Sequence, residues 1–148
     1  MLKRPDHVTI AVTDLAAGRA FFELLGFEVT IAAVISGPVM AAYMGVPDIE
    51  ADHVTMVLPG AEAHFEIQLL HYRHPEVRPD PSLVNLARPG FNHLCFAVEG
   101  IEAIIDRLTA NGVRLRNSLM TYHDRKLVFV EGPEGITIEL AEWTVPPA

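Results

Sequence analysis

The chain has 148 residues, half of them apolar, with 19 acidic against 11 basic side chains and a formal charge of −8. That length suits one compact domain burying roughly 68–70% of its unfolded surface, and the negative balance disfavours nucleic acid or an anionic membrane as partner. The lone cysteine, Cys95, excludes an internal disulfide framework and fits a reducing compartment.

The N-terminal stretch "MLKRPDHVTIAVTD" holds no uninterrupted apolar segment of the signal-peptide kind, and no apolar run approaches bilayer length. A cytoplasmic protein is expected. Residues 7–12, rich in β-branched side chains, predict a buried strand. Thr13 or Asp14 can accept from the first free N–H groups of a following helix. That helix is predicted over 15–25, with Phe21, Phe22 and Leu25 on its apolar side and Gly26 as the left-handed stop.

Further strands are predicted at 27–34, roughly 39–44, 53–58 and 64–70. Residues 73–90 carry Pro75, Pro79, Pro81 and Pro89 with little periodicity and predict a linker. Beyond it, 93–98 predicts a strand and 101–111 a helix. Ile101, Ile104, Ile105 and Leu108 fall at i, i+3, i+4 and i+7, one buried stripe that ends at Gly112. Strands are then expected at 113–115, 126–131 and 136–141, the last two joined by the turn "EGPEG". A tail without a defined element occupies 144–148.

Two stretches copy each other in register. "HVTIAVTDLAAGRAFFELLGFEV" begins at His7 and "HLCFAVEGIEAIIDRLTANGVRL" at His93, aligning Ala11, Val12, Ala17 and Gly26 with Ala97, Val98, Ala103 and Gly112. A shorter echo sets "FEIQLLHY" against "ITIELAEW" and so Gln68 against Glu139. Each half therefore reads β-α-β-β-β, the first over 5–72 and the second over 91–143, in a single domain of 1–148.

Side chains alternate across a strand, so His7, Gln68, His93 and Glu139 can all face inward from two matching half-sheets. Two nitrogen and two oxygen donors suit a borderline divalent ion with open positions, and lack the thiolates of a closed structural zinc site. Taken singly, each histidine reads as an ordinary strand histidine. Their equivalence within a repeat is what points to a site. Glu66, on the same face as Gln68, is the rival ligand. Cys95 reads as a small core residue, and His53, His64, His71 and His74 as solvent-facing. Tyr122, His123, Arg125 and Lys126 cluster before a strand, as a solvated loop or as groups that orient an anionic substrate despite the net charge.

The duplicated unit, the strand-borne His7 and His93, and the endings "IQLLHY" and "GPEGITIELAEW" resemble the vicinal oxygen chelate superfamily. That group includes glyoxalase I, methylmalonyl-CoA epimerase, extradiol dioxygenases, and fosfomycin- and bleomycin-resistance proteins. The resemblance implies an α+β glyoxalase/bleomycin resistance/dioxygenase fold: two tandem βαβββ modules forming a curved, partly open barrel. It also implies one divalent metal ion (Zn, Ni, Co, Mn or Fe) held by His7, Gln68, His93 and Glu139, and a homodimer. The His/Gln/His/Glu set looks most like the epimerase and glyoxalase I. Where extradiol dioxygenases keep a tyrosine the chain has Phe129, and Gly132 stands where an acidic residue is usual.

The activity so implied is a metal-dependent lyase or isomerase, lactoylglutathione lyase-like or epimerase-like, moving a proton alpha to a carbonyl through a metal-bound enediolate or enolate. The substrate would be a small molecule with an anionic group or a thiol conjugate. Glu139 would be the base, since Gln68 cannot take a proton, and an epimerase would need a second acid, Glu66 or Glu50. The other classes are a ring-cleaving dioxygenase and a non-catalytic binding or resistance protein.

Overall fold

The computed structural model describes residues 1–145 and 147. The chain divides into two compact units, Met1–Pro79 and Asp80–Ala148. No helix among the described residues is long and apolar enough to cross a membrane.

The first unit contains β1 (His7–Ala11), α1 (Leu15–Leu24), β2 (Glu28–Ser36), α2 (Gly37–Met44), β3 (Glu50–Val57) and β4 (Glu66–His74). The strands form one sheet in the order β1-β4-β3-β2, with β1 and β4 parallel and the other pairs antiparallel. Asp14, not Thr13, caps α1: its Oδ1 accepts from the Ala17 N–H at 2.9 Å. The helix ends at Gly26, whose φ of 97° is costly for any residue with a Cβ.

Alternation sends Ile10, Val12, Ile67, Leu69, Val54 and Met56 to the sheet face beneath α1, and all are buried. Phe22 is fully buried and meets Phe21 and Phe27 edge to face. Burying such a side chain contributes about 1.5–3 kcal/mol. A Cβ on Gly18 would stand 3.3 Å from Val12 Cγ1, so the missing side chain sets how closely α1 approaches the sheet.

The strand expected at 39–44 is instead the helix α2. The segment "GPVMAAYM" is apolar all round and so carries no amphipathic period, but its ends are marked. Ser36 precedes it, Pro38 lies in its first turn, and Gly45 closes it at φ 68°. It packs on the sheet face opposite α1, where Met40 and Ala41 meet the buried cluster of Ile49, Ala51 and Leu70.

The second unit opens with a 3-10 turn at Pro81–Val84, followed by β5 (His93–Ala97), α3 (Ile101–Ala110), β6 (Met120–Tyr122), β7 (Arg125–Glu131) and β8 (Thr137–Trp143). Its sheet runs β5-β8-β7-β6, again with one parallel pair, β5 and β8. The expected stripe of α3 faces the sheet: Ile101 and Leu108 are fully buried and Ile104 and Ile105 half-buried, against Val128, Val130, Ile138 and Leu140 on the strands. The strand expected at 113–115 is not formed. Only Leu115 bridges to Val130, flanked by the hydrogen bonds of Arg116 N–H to Phe129 O and of Glu131 N–H to Arg114 O, and β6 lies further on.

Thr144 is tied to Asp124 O through both its N–H (2.7 Å) and its hydroxyl (2.9 Å), so the expected tail begins one residue later. Within that tail, residues 146 and 148 lie outside the described residues.

Candidate functional site

The parallel pairing of β1 with β4 sets His7 beside Glu66 and Thr9 beside Gln68. The pairing of β5 with β8 sets His93 beside Thr137 and Cys95 beside Glu139. The echo read from the sequence is therefore also a register. In each unit the polar residue of the last strand stands opposite the residue two after the histidine, on the face away from the long helix.

In the first unit, Gln68 is the centre of a network. Its Nε2 donates to Glu66 Oε2 at 2.7 Å, which turns its Oε1 toward the Thr9 hydroxyl (3.2 Å) and His53 Nε2 (3.1 Å). Glu66 also takes His64 Nε2 at 2.9 Å. The Gln68 hydrogen bond first, and His64 second, hold the Glu66 carboxyl below the usual carboxylate range. His7 Nδ1 lies 2.9 Å from Asp6 Oδ2, and this contact, the largest cause, lowers the Asp6 carboxyl. Ligand-type atoms of Asp6, His7 and Glu66 all lie within 4.8 Å of one another.

The second unit repeats the device with different residues. Asn92 Nδ2 donates to Leu86 O at 2.7 Å, which leaves its Oδ1 to accept from His93 Nδ1 at 2.7 Å. The His93 proton is thereby placed on Nδ1. Its Nε2 then presents a lone pair to Glu139 Oε2, 3.0 Å away on a side chain only 15% exposed. Two acceptors at that distance require a proton or a cation between them. The donor set on this face fits a metal ion. Phe129, opposite Glu139 in the register, packs its ring 5.1 Å from the His93 ring.

The last strand of each unit carries one carboxylate on this face, displaced by two residues. The first has Glu66 and Gln68; the second has Thr137 and Glu139. Thr137 is fully buried, and its hydroxyl has no hydrogen-bond partner among the described residues.

The four residues expected to bind substrate divide. Tyr122 pairs with Arg125, and Arg125 with Trp143, on the Glu139 face, where the Arg125 guanidinium sits 4.6 Å over the Trp143 ring. His123 turns the hairpin at φ 50° with its ring 4.3 Å from Tyr122. Lys126 belongs to the opposite face. Its Nζ reaches Glu102 of α3 at 2.6 Å and Glu142 at 3.4 Å, and Glu102 is the main cause of its raised pKa. Glu50 lies at the far end of β3 from the strand partner of Glu66, bound to Arg73 at 3.2 Å.

His53 is not the solvent-facing histidine expected from sequence but a half-buried member of the Gln68 network. Its spacing of two from buried Thr55 was the available signal. His64 and His71 likewise have carboxylate partners, Glu66 and Asp52. Asp6 and Asn92 were missed because each lies one residue outside a strand pattern. Cys95 is reached by solvent rather than lying in the core. Its neighbours still desolvate the thiol and, with the charge of Glu139, push its pKa up to about 12. Gly132 has a steric explanation: a Cβ there would stand 2.9 Å from Ile138 Cγ1, so the acidic residue usual at this place has no room.

A cavity of about 370 Å³ opens on the site face of the first unit, with His7, Thr9, His53 and Gln68 along one side.

Residues 4–140 match the family model described as Glyoxalase/Bleomycin resistance protein/Dioxygenase superfamily. An ethylmalonyl-CoA/methylmalonyl-CoA epimerase of Cereibacter sphaeroides is 30% identical over 96% of this chain and 99% of its own length. The uncharacterized protein YaeR of Escherichia coli is 27% identical over 95% of this chain and 97% of its own. A crystal structure of a glyoxalase family protein from Bacillus cereus superposes with a TM-score of 0.88 at 29% identity, covering 98% of this chain and 97% of that one. The two mixed four-stranded sheets and their helices thus have the fold class expected from the sequence.

Proposed function

The chain belongs to the glyoxalase/bleomycin resistance protein/dioxygenase superfamily, and we propose that it is a metal-dependent lyase or isomerase that moves a proton at a carbon next to a carbonyl. The observation that carries this reading is the His93–Glu139 pair. Asn92 commits the His93 proton to Nδ1, and the carboxylate faces the free lone pair at 3.0 Å. In the first module His7 is held by Asp6, and Gln68 by Glu66. We assign His7, Gln68, His93 and Glu139 as the residues that would hold a divalent ion.

Such an ion, when bound, supplies Lewis acidity that favours negative charge on the carbonyl oxygen. Glu139 takes the proton from carbon, since its carboxylate is the one basic oxygen among the four assigned ligands. The amide of Gln68 binds without accepting a proton. Asp6 and Asn92 hold the imidazoles in one tautomer, so that each offers Nε2. Phe129 packs against the His93 ring and limits its rotation.

Epimerisation of an acyl thioester is the specific alternative. It is favoured by the relative from Cereibacter sphaeroides and by a second carboxylate, Glu66, on the site face of the first module. Glu50, held by Arg73 at the other strand end, suits that role less well.

Metal analysis of the purified protein should give one divalent ion per chain, with most of it lost in His93→Ala. Unchanged content in that variant would refute the site. With metal present, a panel of glutathione hemithioacetal, methylmalonyl-CoA and a catechol should show solvent deuterium entering one of the first two. Glu139→Gln should abolish that exchange with its circular dichroism unchanged; undiminished exchange would remove Glu139 as base.

A further inference from the structure

The cavity of the first module has two chemically distinct sides. His7, Thr9, His53 and Gln68 line one. Ile35 and Leu70 lie beside them on the sheet, and three side chains of α2, Met40, Tyr43 and Met44, complete the lining. Among the described residues that line it there is no lysine, arginine or carboxylate. Its volume, about 370 Å³, lies within the range of small-molecule sites, roughly 300–1,000 Å³.

The apolar side is anchored rather than adventitious. Met40 and Ala41 rest on the buried cluster of Ile49, Ala51 and Leu70, which fixes the helix on the sheet. Tyr43, one turn further along, is nevertheless 82% exposed, and Met44 is 36% exposed. A helix held in place while its aromatic and thioether side chains stay open to water has apolar surface available to a ligand. The second module has no helix between the corresponding strands among its described residues, so this wall comes from one half of the repeat.

We infer that the cavity under α2 receives an uncharged, apolar acyl or aryl group of the substrate, with the reacting oxygen atoms at the His7–Gln68 side. The deeper assignment of which atoms react rests on the proposed function above; the apolar selectivity rests on the cavity alone. Charged parts of the substrate, such as a phosphate or a peptide carboxylate, find no counter-charge on the α2 side and remain outside it.

Methyl-13C methionine labelling of the full chain tests this directly, because Met40 and Met44 line the cavity while Met56 is fully buried in the core and Met120 belongs to the other module. Protein stripped with EDTA is titrated with 1-butanol, 1-hexanol and 1-octanol, then with 1,8-octanediol. Met40 and Met44 should shift saturably, Met56 and Met120 should not, and affinity should rise about fourfold per methylene. The diol, which carries a second hydroxyl at its apolar end, should bind at least tenfold more weakly than 1-octanol. Tyr43→Ser should weaken octanol binding several-fold with the other methyl resonances unmoved.

Equal binding of octanol and the diol, no dependence on chain length, or shifts spread evenly over all five methionine methyls would overturn the inference. Metal content is measured on the same preparation before stripping. A chain that never held metal but shows the expected series would refute the metal reading and leave the apolar cavity standing.

Discussion

Asp6 and Asn92 perform one task in two modules. Each directly precedes a histidine and accepts a hydrogen bond from its Nδ1, at 2.9 Å in the first module and 2.7 Å in the second. One is a carboxylate and the other an amide, so the duplication has conserved the geometry while changing the charge. In Asn92 the amide is itself held by Leu86 O, outside the repeat.

Asn92→Ala should therefore free the His93 ring and lower metal affinity about 10- to 100-fold, the usual cost of losing an orienting partner. Asn92→Asp, which keeps an acceptor at that place, should recover most of it. Competition with a coloured chelator measures both. Equal affinities for the wild type and Asn92→Ala would show that the ring needs no orientation.

Gln68 holds Thr9, His53 and Glu66 at once. Gln68→Ala leaves the half-buried His53 and Glu66, and the Thr9 hydroxyl, without this partner and should lower stability by about 1 kcal/mol, read from urea denaturation. Gln68→Glu keeps an acceptor for Thr9 and His53 but sets a second carboxylate against Glu66. Stripped of metal it should melt below the wild type, and manganese should raise its Tm by more than it raises the wild type's. No difference in that metal-induced rise would count against position 68 as a ligand.

Asp52 lies away from the site and gives a pH signature. Arg73 first and His71 second hold its carboxyl below the ordinary aspartate value of 3.8. A carboxyl depressed in the folded state contributes stability that is present above its unfolded pKa, about 3.9, and lost as pH falls through the lower folded value. Asp52→Asn should thus be less stable than the wild type at pH 7, and the gap should close toward pH 2. Urea midpoints that differ by the same amount at both ends would contradict it.

Gly18 tests the packing of α1. A Cβ there would meet Val12 Cγ1 at 3.3 Å and Leu69 Cδ1 at 3.6 Å. Gly18→Ala gains up to about 1 kcal/mol of helix propensity against this mild crowding and should be close to neutral. Gly18→Val adds two methyls where there is no room and should cost about 1–3 kcal/mol. A Val variant as stable as wild type would mean that α1 can move outward freely.

The fold was legible where one period dominates. Ile101, Ile104, Ile105 and Leu108 announce α3, and the echo between "FEIQLLHY" and "ITIELAEW" places Gln68 and Glu139 at equivalent register positions. Legibility failed at α2, because Val39 to Met44 is apolar on every side and only its ends, Pro38 and Gly45, speak for a helix. It failed again around Leu115, where the apolar alternation of Val113 and Leu115 promises a strand but a single bridge forms. At the site, Asp6, His53 and Asn92 escaped notice for a different reason. Their roles come from hydrogen bonds to a neighbour's ring or amide, and a one-dimensional pattern of apolar and polar residues does not record them.

Because α2 is present in one module only, the two copies are free to evolve under different pressures. Residues 37–45 can be exchanged, lengthened or rebuilt without touching the strands that carry Glu139. Related chains with different insertions at this point would then share a reaction while diverging in what they accept. For engineering, this segment is the natural place to randomise: a library confined to it should change substrate preference at little cost to the chemistry.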